Sequence, residues 1–369
     1  MVTSRYPQYH YGDKLKIVGT TQTAKYSSLK SSLLRIKKSD LEMVFPQIEI
    51  VEEKKGSWLL GAIFSFRQKL ITNYQEFLPE PASSLLTGTV LGVKTQMSAD
   101  FKESLRKAGL THVVVASGLN VTLVAGFLSG TLTFFLKRQL VLPLVLLGIV
   151  FYALLAGFEP PIVRAAIMGA LAFAAQGFGR QNWGVLSLVL TGFLMLIMKP
   201  LLILDLGFQL SFLATAGLIL IRPIIEKTWP FTILGRTPLL GESFTTTLSA
   251  QLATLPPILA NFGYWSFLSI LANALVLWTI PWIMGIGGLA GVLGLIFKPL
   301  GQLLSFATYP FLFYFEKITF LFARFPFFSL EIGKFSFFLS LSYFSFLTAV
   351  LLWLTKHRKE DKANGEPEG

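Results

Sequence analysis

The 369-residue chain contains no cysteine, which excludes a disulfide framework, a thiolate metal site and a cysteine nucleophile. Histidine is almost as scarce. The three His, at positions 10, 112 and 357, are too scattered to read as a ligand cluster, so no metal and no metal-dependent hydrolase is expected. No G-x-x-x-x-G-K-[ST] loop occurs to power transport, and the first 20 residues lack the apolar core of a secretory signal peptide. Charge is also short. Only 14% of residues are charged against 53% hydrophobic, and mean hydropathy is +0.61. A soluble protein carries about 25% charged residues, so this chain cannot cover itself in water and the solvent for most of it is lipid. No catalytic residue and no cofactor is expected.

What charge there is lies at the ends. Residues 1–110 hold 16 Lys/Arg and 10 Asp/Glu, residues 111–354 hold 12 and 6, and residues 355–369 hold 4 and 4. The expected fold is an all-α polytopic membrane protein of about nine or ten hydrophobic helices with a small N-terminal β-rich region. Its expected parts are a β region over 1–56, interfacial amphipathic helices over 57–110, a transmembrane domain over 111–354 and a charged cytoplasmic tail over 355–369. The net charge of +12 suits an anionic partner and equally suits positive-inside loops.

Short apolar runs in 11–54, punctuated by Gly12-Asp13 and Gly19-Thr20, predict a few strands. Trp58 to Phe77 has the spacing of an amphipathic helix, and with Pro81 to Val93 it reads as a collar at the membrane surface. From residue 111 the apolar stretches approach the roughly 20 residues that cross about 30 Å of hydrocarbon. They fall near 111–136, 139–157, 161–178, 183–198, 206–222, 243–262, 266–282, 283–297, 301–322 and 335–354. With Lys137, Arg138 and the basic tail placed in the cytoplasm, parity favours nine crossings plus one partial helix. Pro160-Pro161 suits either a helix start or a break, whereas Pro256-Pro257 falls within a stretch and frees backbone carbonyls that neighbours must satisfy.

Polar side chains inside apolar stretches need a reason, since a charge at mid-bilayer costs about 2.5–3.5 kcal/mol on insertion scales. They fall in four clusters: His112 to Asn120, Glu159 to Arg164, Asp205 to Ser211, and Gln251 through Asn261 to Asn273. Ser117 and Asn120 share a helix face, and Gly118 and Gly126 allow another backbone to approach. Interhelical hydrogen bonding is the plain alternative to a functional role. Arg164 can snorkel, pair with Glu159 or Asp205, or face an aqueous path. Asp205 and Gln209 share a face, to hold an Arg or to cap a helix. Glu316 and Lys317, adjacent on a helix, are expected to find partners on other helices.

These clusters, in this order, resemble the competence domain of the ComEC-type DNA-uptake proteins. The resemblance rests on HVVVASGLN (112–120), PIVRAAIM (161–168), DLGFQLSFLATAGL (205–218) and QLATLPPILANFGYWSFLSILAN (251–273). It covers about residues 60–300, and 11–54 is similar to the end of the family's external OB-like domain. The metallo-β-lactamase-like domain that many members carry has no counterpart in the 15 residues after Leu354, and Asn120 stands where the family often has His. The resemblance implies a membrane channel that imports single-stranded DNA across the bacterial cytoplasmic membrane in natural transformation. Expected partners are single-stranded DNA, membrane lipids, a separately encoded hydrolase and other competence proteins. The candidate path residues are Ser117, Asn120, Arg164, Asp205, Gln209, Ser211, Gln251 and Asn273. Lys14, Lys16, Lys25, Lys30, Arg35 and Lys37 form either an outer landing surface for DNA or a plain solvated face. A secondary transporter or lipid-handling protein is the alternative.

Overall fold

The computed structural model describes residues 11–19, 21–23, 41–43, 47–52, 55–93, 97–114, 117–177, 179–181, 183–227, 240–262, 264–266, 268–324, 329–331 and 336–363. Of the six candidate landing residues, Lys25, Lys30, Arg35 and Lys37 lie outside them. The chain divides into two compact units, residues 1–68 and residues 69–369.

In the first unit, β1 (Lys14–Val18) pairs antiparallel with β4 (Gln47–Glu52), and β2 (Thr21–Thr23) with β3 (Leu41–Met43). Lys16 faces Glu49 across the first ladder, and Lys14 reaches Glu52 at 3.7 Å. Ile17, Val18, Ile50 and Val51 stay exposed, as expected of two-stranded ribbons too small to enclose a core.

Helix α1 (Trp58–Phe77) leads into the second unit. It is followed by α2 (Ala82–Leu91), α3 (Ala99–Ala108), the single turn α4 (Thr111–Val114), α5 (Gly118–Phe135), α6 (Arg138–Ala156), α7 (Pro160–Gly177), α8 (Gly184–Met198) and α9 (Leu206–Leu220). Then come the short α10 (Arg222–Ile225), α11 (Leu240–Phe262), α12 (Leu268–Val276), α13 (Ile280–Ile296), α14 (Lys298–Ala323) and α15 (Phe337–Ala363). A small pair of strands, β5 (Tyr264–Ser266) and β6 (Ser329–Glu331), is also antiparallel.

The protein is multi-pass. Among the described residues five segments are long and apolar enough to cross a membrane: Thr111–Phe135, Gln139–Ala156, Leu206–Ile225, Ser269–Ile296 and Phe338–Lys356. The stretches expected separately at 266–282 and 283–297 are joined. A 3-10 turn at Leu277–Thr279 lies within the 28-residue apolar segment Ser269–Ile296.

Helix α8 shows what solvent the surface faces. Its buried residues are Ser187, Thr191 and Met195, while Leu186, Val189, Phe193 and Ile197 point outward. That inverts the pattern of a water-facing helix. The Thr191 hydroxyl donates to the Ser187 carbonyl at 2.6 Å, so the inward polar group is satisfied within its own helix.

The centre is α2 with α13 and α14. Nearly every residue of α2 is buried, including Ser83, Ser84, Thr87 and Thr89. Within the stretch expected as a surface collar at 81–93, α2 is thus enclosed by other helices. The reason is local: Ser84, Thr87 and Thr89 hydroxyls donate to the carbonyls of Pro81, Ser83 and Leu85 at 2.8–2.9 Å, so they need no water. Gly287 of α13 meets Leu86, and the Tyr74 hydroxyl of α1 donates to the Gly287 carbonyl at 2.9 Å. Along α14 the inward stripe is Gly301, Ser305, Thr308, Leu312, Phe315, Thr319 and Phe322, spaced alternately four and three apart. Among the described residues Lys317 does not reach another helix as expected; its ammonium lies 4.9 Å from the Phe313 ring one turn back on α14.

Amphipathic character survives in α3. Phe101, Leu105 and Ala108 are buried while Glu103, Arg106 and Lys107 form exposed ion pairs. The Ser98 side chain caps it by accepting from the Phe101 N–H at 3.2 Å.

Candidate functional site

Helices α5, α7 and α9 each begin with one of the polar clusters, and three of the four clusters meet through one side chain. Pro160 and Pro161 open α7, where the missing N–H groups cost nothing, and Arg164 follows one turn in. Its Nε donates to the Ser211 hydroxyl of α9 at 2.6 Å, and its Nη1 lies 3.7 Å from the Met168 sulfur on its own helix. The remaining Nη2 lies against Gly118, the first residue of α5, where a Cβ would stand 2.6 Å from it. Glycine at 118 therefore admits a guanidinium, not the second backbone that the sequence suggested. Nothing lies within 4 Å of a Cβ built at Gly126, so the backbone-approach expectation fails there too.

Arg164 pairs with neither Glu159 nor Asp205. Among the described residues no carboxylate lies within ion-pairing distance of it. Asp205 is committed elsewhere as the N-cap of α9, its Oδ1 accepting from the Phe208 N–H at 2.8 Å. Gln209 turns back to donate to the Ile203 carbonyl at 2.8 Å. Both residues of that face thus close the chain's own backbone groups at the start of α9.

Ser117 and Asn120 share a face as expected and turn toward α2. The Ser117 hydroxyl donates to Asn120 Oδ1 at 3.1 Å, and the fully buried Asn120 donates from Nδ2 to the Thr89 carbonyl at 2.9 Å. That carbonyl belongs to the last turn of α2, which has no partner within the helix. Sequence reasoning could not have named Thr89, because a backbone carbonyl carries no residue signal.

The fourth cluster lies on α11 and α12. Gln251 Nε2 donates to the Ser269 hydroxyl at 2.5 Å, while Gln251 Oε1 and both polar atoms of Asn273 are buried with no hydrogen-bond partner among the described residues. Pro256 and Pro257 sit inside α11. The carbonyl that Pro256 frees, on Leu252, accepts from the Tyr343 hydroxyl of α15 at 2.9 Å. The sequence signalled that such a donor was needed but gave no sign that Tyr343 supplies it.

Beside the Arg164 junction an open groove of about 310 Å³ runs between α5, α6 and α7. Its walls are Val121, Ala125 and Gly126 on one side and Ala165, Gly169 and Phe173 on the other, with buried Ile149 at the floor.

The chain has relatives in several bacteria. It is 27% identical over 232 residues to the ComE operon protein 3 of Bacillus subtilis (strain 168), covering 63% of this chain and 29% of that one. It is 33% identical over 149 residues to the competence protein ComA of Neisseria gonorrhoeae, covering 37% and 21%. An uncharacterized protein of Aquifex aeolicus (strain VF5) is 31% identical over 191 residues, covering 48% and 45%. The match therefore spans less than half the length of each of these curated relatives. No solved structure matches. The family model for the competence protein matches residues 89–357, a stretch that holds all four polar clusters, and the chain belongs to that family.

Proposed function

We propose that the protein forms the membrane-embedded part of a channel that admits single-stranded DNA across the bacterial cytoplasmic membrane during natural transformation, and that it does so without chemistry of its own. The observation that carries this reading is the meeting of Gly118, Arg164 and Ser211, one from each of three clusters, around a guanidinium without a carboxylate partner among the described residues. A phosphate polyanion cannot cross hydrocarbon and requires cationic, hydrogen-bonding groups at membrane depth. A fixed guanidinium suits a phosphodiester by charge and by its forked donors. Single-stranded DNA is the partner on this reading, with a separately encoded hydrolase and other competence proteins on either side of the membrane.

The test uses a transformable host carrying Arg164→Gln and Arg164→Lys in place of the wild-type gene. Internalised, nuclease-resistant labelled DNA should fall by about tenfold or more in Arg164→Gln, the scale of a lost charge-assisted contact. Arg164→Lys should recover part of it, and DNA bound at the cell surface should not change. Normal uptake in Arg164→Gln, at wild-type membrane levels of the protein, refutes the reading.

A further inference from the structure

We propose that the groove between α5, α6 and α7 is a binding site for one anionic phospholipid, with an acyl chain along the groove and the headgroup phosphate at Arg164. The groove starts beside the cation. Ala165 follows Arg164 directly, and Val121 and Thr122 lie one turn beyond Gly118, against which the guanidinium rests. From there α5 contributes residues 121 to 129 and α7 residues 165 to 173. Eight residues of helix rise about 12 Å, close to the roughly 15 Å depth of one leaflet of a 30 Å hydrocarbon core.

The wall chemistry selects a chain and not a polynucleotide. Of its nine lining residues, seven are Val, Ala, Gly, Ile or Phe. Of the two hydroxyls, that of Thr122 is already spent on the Gly118 carbonyl at 3.1 Å. The groove opens outward past exposed Thr122 and Gly126, next to Phe127, which is 50% exposed. Entry is thus from the side where lipid lies.

The head of the groove supplies the charge complementarity. Arg164 commits Nε to Ser211 and meets only a thioether at Nη1. Nη2, beside Gly118 at the head of the groove, has no acceptor among the described residues, so the guanidinium retains N–H groups for an anion, and a zwitterionic lipid whose phosphate carries its own ammonium would neutralise it less well.

This inference does not depend on the DNA reading, and its test contains no DNA, so either can fail alone. The purified full chain, in a mild detergent, is given dioleoyl phosphatidylglycerol or dioleoyl phosphatidylcholine, and retained lipid is counted by native mass spectrometry. The wild type should retain one phosphatidylglycerol in preference to phosphatidylcholine. Arg164→Gln should weaken that retention by about tenfold and abolish the preference. Gly126→Leu fills the groove from a position with open space around it, so it should abolish retention of either lipid while keeping the fold, since leucine favours helix over glycine. Gly130→Leu, equally unobstructed but outside the groove, should retain lipid as the wild type does. No headgroup preference in the wild type, or wild-type retention in Gly126→Leu, overturns the proposal. Equal losses in Gly126→Leu and Gly130→Leu overturn it as well. Gly126→Leu decides the matter even where Arg164→Gln fails to fold.

Discussion

Tyr343 should be coupled to Pro256 in stability although the two lie 87 positions apart. In an unbroken helix the N–H of residue 256 would bond the carbonyl of Leu252, and proline has no N–H to give. The Tyr343 hydroxyl donates to that carbonyl at 2.9 Å. Tyr343→Phe keeps the ring and removes only the donor. Hydrogen bonds between membrane helices contribute about 0.6 kcal/mol on average and up to about 1.7, and a carbonyl left unsatisfied adds a desolvation cost. The expected loss is about 1–2 kcal/mol. In a Pro256→Ala background the backbone N–H returns, and Tyr343→Phe should then cost less than about 0.5 kcal/mol, giving a coupling near 1 kcal/mol in a double-mutant cycle. Reversible unfolding in mixed micelles, followed by helical circular dichroism, measures all four corners of the cycle. Equal costs of Tyr343→Phe in both backgrounds would refute the assignment of Tyr343 as the substitute for the missing helix donor.

Three other outcomes follow from the packing and charges. A Cβ at Gly217 of α9 would stand 2.5 Å from the Ser249 carbonyl oxygen and 2.8 Å from Ala253 Cβ on α11. Gly217→Ala should therefore cost about 1–3 kcal/mol by overpacking, whereas Gly126→Ala, meeting nothing within 4 Å, should gain up to about 1 kcal/mol from helix propensity; the same unfolding assay ranks them, and a reversed order would contradict the α9–α11 contact. Asn120→Leu removes the donor to the Thr89 carbonyl and should cost about 1–3 kcal/mol, while Asn273→Leu, replacing a buried amide with no partner among the described residues, should cost nothing or stabilise. The Arg106 side chain, by its hydrogen bond and then with Lys107 by charge, holds the Glu103 carboxyl below its ordinary value. That contribution is complete above the unfolded value and is lost as pH falls through the lower folded one; the melting temperature should decline slightly less on acidification below about pH 4 in Glu103→Gln than in the wild type, and identical acid limbs would show that the pair contributes nothing.

Apolar length located candidate spans such as Gln139–Ala156 and Phe338–Lys356, because an apolar stretch of that length has few alternatives in a chain this poor in charge. Burial was less legible at α2. Its Ser83, Ser84, Thr87 and Thr89 are buried because a Ser or Thr hydroxyl can donate to a carbonyl of the preceding turn or to a nearby carboxylate, so such residues do not report where water is. At the site, the local roles were legible: Asp205 as a cap, Pro160-Pro161 as a helix start, and Ser117 with Asn120 on one face. The long-range pairings were not. The sequence offers Arg164 two carboxylates within reach of the imagination, and the fold gives it a hydroxyl and a glycine, because Asp205 satisfies its own helix first.

That ordering of commitments separates the eight candidate path residues. Asp205 and Gln209 are tied to backbone groups within a few residues, and Ser117 and Asn120 are tied to the end of α2, so their hydrogen bonds hold the bundle together whether or not anything passes through it. Arg164 is different. Its Ser211 and Met168 contacts do not neutralise it, and a largely enclosed cation is costly unless something negative is present for part of the time. A substitution series should therefore split in two: Asn120→Leu should lower stability and uptake together, whereas Arg164→Gln should lower uptake far more than stability. Should Arg164→Gln instead unfold the protein as Asn120→Leu does, the guanidinium would be one more strut of the bundle, and the anion it is held ready for would have to be sought elsewhere in the chain.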